Sequence, residues 1–232
     1  MIYNKKSKEE LFMDIEYNLF KRTSVDYEKL LKYGFKKIDD KYIYEKKFIN
    51  GDFKAIITIV DNYVTGKVID LETNDEYFAI KTIMNGSFVS KVRDEYLSIL
   101  FDIKEKCFEN KLFITDQANR IANFIMRKYQ VEPEFLWESS SGHGVFRNKV
   151  NNKWFGIIMN VDGMKFENKS GEVEVLNIKL DKLKIQDLLS NNGYYPAYHM
   201  NKKSWISIIL DEYLDDETII KLVSESYDQV NK

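Results

Sequence analysis

Two lysine-rich segments contain the residues of this chain that are best suited to chemistry. The run His199-Met-Asn-Lys-Lys-Ser-Trp205 places two adjacent ammonium groups between a histidine and a tryptophan. Earlier in the chain, a second run carries one arginine and two lysines among three asparagines. Ammonium and guanidinium groups neutralise phosphates, while histidine and tryptophan can hydrogen-bond or stack. The combination predicts contact with a nucleic-acid backbone through Arg147, Lys149, Lys153, His199, Lys202 and Lys203.

The elements around these segments predict two β-hairpins. Strands over 144–147 and 153–160 flank the first segment, and strands over 195–200 and 204–210 flank the second. Two hairpins that project on the same side would form paired wings against a phosphate backbone. Charged and asparagine-rich tips are also typical of simple solvated turns. Trp154 and Trp205 each precede the apolar run of a buried strand, so we expect both indoles in the core.

Candidate catalytic and metal-binding residues are sparse. The chain has two histidines and one cysteine, too few for a recognisable zinc spacing. Cys107 lies on the apolar stripe of a predicted helix, which indicates a buried structural thiol. The acidic run 211–217 suits the positive end of a helix dipole better than a cation site. The loop 139–144 lacks the Lys-Ser/Thr of a phosphate-binding P-loop. We therefore expect no catalytic residue, no metal and no cofactor, and a protein that is not an enzyme.

Hydrophobic periodicity predicts two consecutive α+β units. The first unit has helices over 7–20, 26–33 and 89–108, strands over 41–48, 53–60 and 66–71, and a further strand over 76–82. The second has helices over 116–129, 181–191 and 215–229 and strands over 144–147, 153–160, 172–179, 195–200 and 204–210. Short turns between the strands favour antiparallel pairing over crossover connections. We place an N-terminal domain at 1–112 and a second domain at 113–232.

Composition limits the class of protein and the strength of any DNA binding. Of the 232 residues, 44% are hydrophobic and 31% charged, with a formal net charge of −2. Such a chain is globular, and its DNA binding would be local, weak and directed at phosphates. A single cysteine suits a reducing compartment. No apolar run reaches the ~18 residues that span a membrane, and the N-terminus turns acidic before any apolar run. We expect a cytoplasmic, non-membrane protein encoded by an AT-biased bacterial genome.

The C-terminal half resembles the MmcQ/YjbR family over about residues 115–230. The likeness rests on Lys153-Trp-Phe155, on Glu172–Lys179 and above all on the pattern Tyr195-Pro-x-Tyr-His-Met-x-Lys-x-x-Trp205. The front half looks like the N-terminal extension of some bacterial members, through Tyr33-Gly-Phe35 and Val68–Thr73. The resemblance implies a CyaY-like antiparallel sheet with helices on one face, and the family's usual description as double-wing DNA-binding proteins.

Two further points follow from that resemblance. Frataxin-type proteins of the CyaY fold bind iron through an acidic first helix, whereas the matching helix here, 116–128, has one acid and three bases. Hard cations need clustered oxygen ligands, so the iron function does not carry over. The main alternative to DNA binding is an interaction module that takes a protein or small-molecule partner on a sheet face or in an inter-domain groove.

Overall fold

Two antiparallel sheets, each with helices on one face, account for most of the chain. The computed structural model describes residues 14–82, 86–140, 142–166 and 169–231. The chain divides into two compact units, Met1–Lys111 and Leu112–Lys232. Within these units the helices and strands follow the α+β order, which confirms the predicted fold class.

The N-terminal unit is built on a four-stranded sheet of order β2-β3-β4-β5. Its elements in chain order are α1 (Ile15–Phe20), β1 (Thr23–Val25), α2 (Tyr27–Tyr33), β2 (Lys36–Ile38), β3 (Lys41–Phe48), β4 (Phe53–Val60), β5 (Tyr63–Asp70), α3 (Ser87–Cys107) and β6 (Phe108–Asn110). The short strands β1 and β6 form a separate antiparallel pair. Residues of all three helices share one core with alternate residues of β4 and β5, so the helices cover a single face of this sheet.

The C-terminal unit is built on a six-stranded antiparallel sheet of order β11-β12-β10-β9-β8-β7. Its elements are α4 (Asp116–Tyr129), β7 (Glu134–Phe135), β8 (Gly144–Arg147), β9 (Trp154–Asp162), β10 (Glu172–Lys179), α5 (Lys182–Leu188), β11 (Tyr194–Pro196), β12 (Trp205–Ile209) and α6 (Asp216–Asn231). The three helices pack on one face, and a second apolar cluster buries the opposite face.

Local sequence explains where the best-predicted helices begin and end. Thr115 accepts a hydrogen bond from the Ala118 amide and caps α4 at the predicted position. Asp26 caps α2 in the same way, and α2 ends at Gly34, whose φ of 121° favours glycine. These three boundaries could be read from the sequence because the capping residues are of the preferred types.

Two expectations about the elements need correction, and a third lies partly outside the described residues. Residues 76–82 do not form a strand, because the carbonyls of Ala79, Ile80 and Thr82 accept hydrogen bonds from the Arg93 guanidinium and the segment folds into a 3₁₀ turn. The strand predicted over 195–200 ends at Pro196. The predicted helix over 7–20 is present from Ile15, and its first residues lie outside the described part of the chain.

Candidate nucleic-acid interface

The strand order brings the two lysine-rich loops to the same end of the C-terminal sheet. We call residues 148–153, between β8 and β9, the first wing loop, and residues 197–204, between β11 and β12, the second wing loop. Phe146 pairs with Gly156 across the first, and Pro196 pairs with Ile206 across the second. Because β10 lies between β12 and β9, the loop centres are three strand spacings, or about 14 Å, apart.

The first wing loop is held by asparagine side chains. The Asn148 side chain accepts hydrogen bonds from the amides of Val150 and Asn151 and donates one to Asn231 Oδ1 at 2.6 Å. Asn151 donates to the Val230 carbonyl at 2.7 Å. The loop is therefore fixed to the end of α6, and these amides are committed within the protein rather than available for reading bases.

The second wing loop is held from the sheet. Asn177 on β10 donates to the Tyr198 carbonyl at 2.8 Å, and Ser207 Oγ both accepts from the Tyr198 amide and donates to Asn177 Oδ1. At the tip, Asn201 Oδ1 accepts from the Lys203 amide. These bonds replace the strand pairing that the sequence predicted here, because side chains satisfy both polar backbone groups of Tyr198.

Four lysines on the wing loops are exposed and form no ion pair within the described part of the chain: Lys149, Lys153, Lys202 and Lys203. Some other cations of this unit are paired with carboxylates. Lys184 contacts Glu225, Lys221 contacts Glu217, and Arg120 contacts both Glu212 and Asp216. Uncompensated positive charge is thus available at the two loops.

Arg147 differs from the other predicted contacts. Its Nε donates to Glu134 Oε2 at 2.8 Å, and the guanidinium carbon lies 5.1 Å from the centre of the Trp154 ring. The charge is therefore partly compensated before any ligand arrives. His199 is exposed in the second wing loop, with its ring 4.0 Å from that of Tyr198.

The two tryptophans predicted to be buried behave differently. Trp205 is 7% exposed, which confirms its place in the core and leaves no ring face for stacking on a base. Trp154 is only half-buried, because it lies at the start of β9 beside a register shift and packs edge-on against Trp137. The expectation that Trp154 is a core residue is therefore met only in part, since the side chain packs against the second apolar cluster without being enclosed by it.

Sequence reasoning missed two lysines between the wing loops. Lys179 ends β10 opposite Trp205, and exposed Lys182 begins α5 three residues later. Neither has an ion pair in the part of the chain that the structure describes. Segments 148–153, 179–182 and 197–204 together carry six lysines and one aspartate, Asp181. Only the strand order reveals this grouping, since the three segments are far apart in sequence.

The remaining candidates for chemistry have contacts within the protein. The pKa of Cys107 is raised to about 11 by burial, which keeps the thiol protonated. His143 Nε2 lies 3.1 Å from the Asn160 carbonyl. Asp215 caps α6 through the Thr218 amide, and the Arg120 guanidinium lowers the pKa of Asp216. Within the described ranges no group of histidine, cysteine and carboxylate side chains could hold a metal ion. In the same ranges no helix is long and apolar enough to cross a membrane.

These features define an α+β domain with a helix-backed antiparallel sheet and two lysine-bearing hairpin loops at one end. A family model described as YjbR matches residues 126–229. The uncharacterized protein YyaQ of Bacillus subtilis is 35% identical over 109 residues, which cover 46% of this chain and 92% of YyaQ. The chain belongs to the MmcQ/YjbR family, as its sequence predicted.

Two solved structures of a protein from Pseudomonas syringae are also similar. Its crystal structure is 31% identical, with a TM-score of 0.46, and the match covers 47% of this chain and 95% of that one. A solution NMR structure is 30% identical with the same TM-score and covers 50% and 92% of the two chains.

Proposed function

We propose that the C-terminal unit is a non-catalytic, cytoplasmic DNA-binding domain that holds duplex DNA by its phosphates. The observation that carries this proposal is the set of unpaired lysines at one end of a single sheet. Lys149 and Lys153 contact one stretch of backbone, and Lys202 and Lys203 contact another, with His199 beside them. The usual description of the family as double-wing DNA-binding proteins agrees with DNA contact through two hairpin loops.

The spacing of the loops suits a duplex. Two loops about 14 Å apart match the ~12 Å width of the major groove, so each can meet one of the two backbones that border it. Lys179 and Lys182 lie between them and extend the positive charge across the gap. Both loops are fixed by internal hydrogen bonds, so little conformational entropy is lost when they bind.

The same contacts predict little sequence selectivity. Phosphate contacts position a protein on DNA without reading bases. The side-chain amides of Asn148 and Asn151 in the first wing loop are hydrogen-bonded within the protein, and Trp205 is buried. Binding through four to six lysines should therefore be weak, with a Kd on the order of 10⁻⁴–10⁻⁶ M at physiological salt.

The salt dependence of binding tests the proposal. Fluorescence anisotropy of a labelled 20-base-pair duplex is followed at several salt concentrations for the parent and for Lys202→Ala/Lys203→Ala. Each lost phosphate contact lowers the slope of log affinity against log salt by about one, so we expect a drop of about two.

The matched control is Lys165→Ala/Lys221→Ala. Lys165 follows β9 at the opposite end of the sheet, and Lys221 lies on α6 paired with Glu217. This variant has the same charge change and should keep the parental slope. No binding at low salt, or the same loss of slope in both variants, would show that the wing loops are not the DNA site.

A further inference from the structure

The sheet of the N-terminal unit has a second face that no described helix of that unit covers. Alternate residues of β4, such as Ala55 and Ile57, belong to the core beneath the helices. The residues between them, Ile56 and Thr58 among others, are half-exposed and point to the other side. We call this second side of β2–β5 the open face.

Isoleucines cross the open face on a diagonal, one from each strand. Ile43 of β3 pairs with Lys36 of β2, and Ile38 is the next residue of β2 on the same face. Ile38 is therefore the diagonal neighbour of Ile43. Ile56 of β4 pairs with Glu45, the next residue after Ile43 on this face of β3, so Ile56 is the diagonal neighbour of Ile43. In the same way Ile69 of β5 pairs with Lys54, the residue next to Ile56 on this face of β4. Diagonal neighbours in a sheet are ~7–8 Å apart, so the ridge is about 23 Å long. It consists of Ile38, Ile43, Ile56 and Ile69.

The open face is also strongly basic. One glutamate, Glu45, stands among five lysines: Lys36, Lys41, Lys47, Lys54 and Lys67. Lys54 lies 3.4 Å from Glu45, and Lys67 lies 3.8 Å from Glu76 beyond the edge of the face. Lys36, Lys41 and Lys47 have no ion pair among the residues that the structure describes. A chain of net charge −2 thus concentrates positive charge beside an aliphatic ridge.

The side chains of the open face indicate which kind of molecule can bind there. The ridge is aliphatic, and the exposed Tyr63 on the same face lies at the opposite end of β5 from Ile69, so no aromatic ring within the ridge offers a stacking platform for nucleobases. Three of the four isoleucines are half-buried between neighbouring side chains, which suits contact with protruding side chains better than insertion into lipid. A surface complementary to it has an apolar stripe with carboxylates on both sides, which is the pattern of an acidic amphipathic helix.

We propose that the open face binds an acidic amphipathic helix of a partner protein along the isoleucine diagonal. At 1.5 Å per residue, about 15 helical residues cover the ridge. The apolar stripe of the helix lies on the isoleucines, and its flanking carboxylates meet the lysines. This interaction is separate from DNA binding, because its residues belong to the other unit of the chain.

The test uses the full chain and a synthetic probe. The probe is a fluorescein-labelled 18-residue helix of leucine, alanine and glutamate, with leucines at helical spacing and glutamates on both flanks. A peptide of the same composition in scrambled order separates charge from amphipathicity. We expect the ordered peptide to bind at least tenfold more tightly than the scrambled one.

Variants of the face sharpen the result. Lys41→Glu/Lys47→Glu should weaken binding of the ordered peptide by about tenfold or more, since reversed charges repel the glutamates. Ile56→Thr should weaken it severalfold while its β-branched side chain preserves the strand. Single Lys47→Glu is compared with Lys91→Glu, an exposed lysine on α3 with the same charge change. Lys91→Glu should leave binding unchanged, and circular dichroism confirms that each variant is folded.

Several outcomes would overturn the proposal. The first is equal binding of the ordered and scrambled peptides. The second is unchanged binding of the ordered peptide by Lys41→Glu/Lys47→Glu. The third is a loss of binding in Lys91→Glu as large as the loss in the single variant Lys47→Glu. Tighter binding of a 20-nucleotide oligothymidine, or of vesicles containing phosphatidylserine, would assign the face to nucleic acid or to a lipid surface instead.

Discussion

The two sheets of this protein differ in whether the face away from their helices is buried or exposed. In the C-terminal unit, residues such as Ile157 and Val175 on the face away from the helices are fully buried beneath Phe166 and neighbouring tyrosines. In the N-terminal unit, Ile43 and Ile56 on the corresponding face are half-exposed among lysines. A sheet buried on both sides can present charge only at its ends and edges, whereas a sheet with an open face can use that face.

The difference corresponds to different burial patterns along the strands. Strand β4 alternates between buried and half-exposed residues along its length. Strands β10 and β12 are buried almost continuously, including Asn177 and Ser207, whose polar atoms are hydrogen-bonded to each other. Alternation is typical of a sheet with one solvated face, and an unbroken buried run is typical of a sheet covered on both.

The largest expected effect concerns the buried second face of the C-terminal sheet. Ile157→Ala should lower the free energy of unfolding of this unit by about 2–5 kcal/mol, because it leaves a cavity where the parent side chain is 1% exposed. Urea unfolding followed by tryptophan fluorescence measures it, since all three tryptophans, Trp137, Trp154 and Trp205, lie in this unit. A cost below ~1 kcal/mol would mean that this face is not a core, and the contrast between the sheets would fail.

The next effect concerns the helix-covered face of the N-terminal sheet. A Cβ added to Gly66 would lie 1.7 Å from Tyr96 Oη, and Tyr96 is buried and hydrogen-bonded to buried Glu16. Gly66→Ala should therefore cost about 1–3 kcal/mol by overpacking. Urea unfolding followed by far-ultraviolet circular dichroism measures the cost. Thr65→Ala on the exposed side of the same strand is the control, and equal stability of the two variants would contradict this account.

A smaller effect is expected on the open face. Ile56→Ala removes the same atoms as Ile157→Ala, but the side chain is half-exposed, so the cost should stay at or below ~1 kcal/mol, the range of β-propensity differences. Amide hydrogen exchange of β4 measures it locally. A loss as large as that of Ile157→Ala would show that something covers this face in solution.

Particular residues show how far the sequence could predict this arrangement. Capping by Thr115 and Asp26 and the turn at Gly34 follow from local chemistry, and these boundaries were correct. The 3₁₀ turn held by Arg93 depends on a side chain distant in sequence, and the strand prediction there failed. The grouping of Lys179 with both wing loops and the isoleucine diagonal depend on strand order and register. Neither can be read from hydrophobic period alone.

The smallest expected effect is a loss of stability of the C-terminal unit in acid. Its cause is an ion pair at the end of the sheet opposite the wing loops. A hydrogen bond from the Arg120 guanidinium lowers the pKa of Asp216, with help from Gln117. The folded-state pKa is therefore below the unfolded value of ~3.9. This contribution is present above that value and is lost as pH falls through the folded-state pKa. Because the pair is partly exposed, it should be worth at most ~1 kcal/mol. Urea midpoints at pH 7 and pH 3 measure the loss. It should shrink in Arg120→Ala, and an unchanged loss would show that other carboxylates cause it.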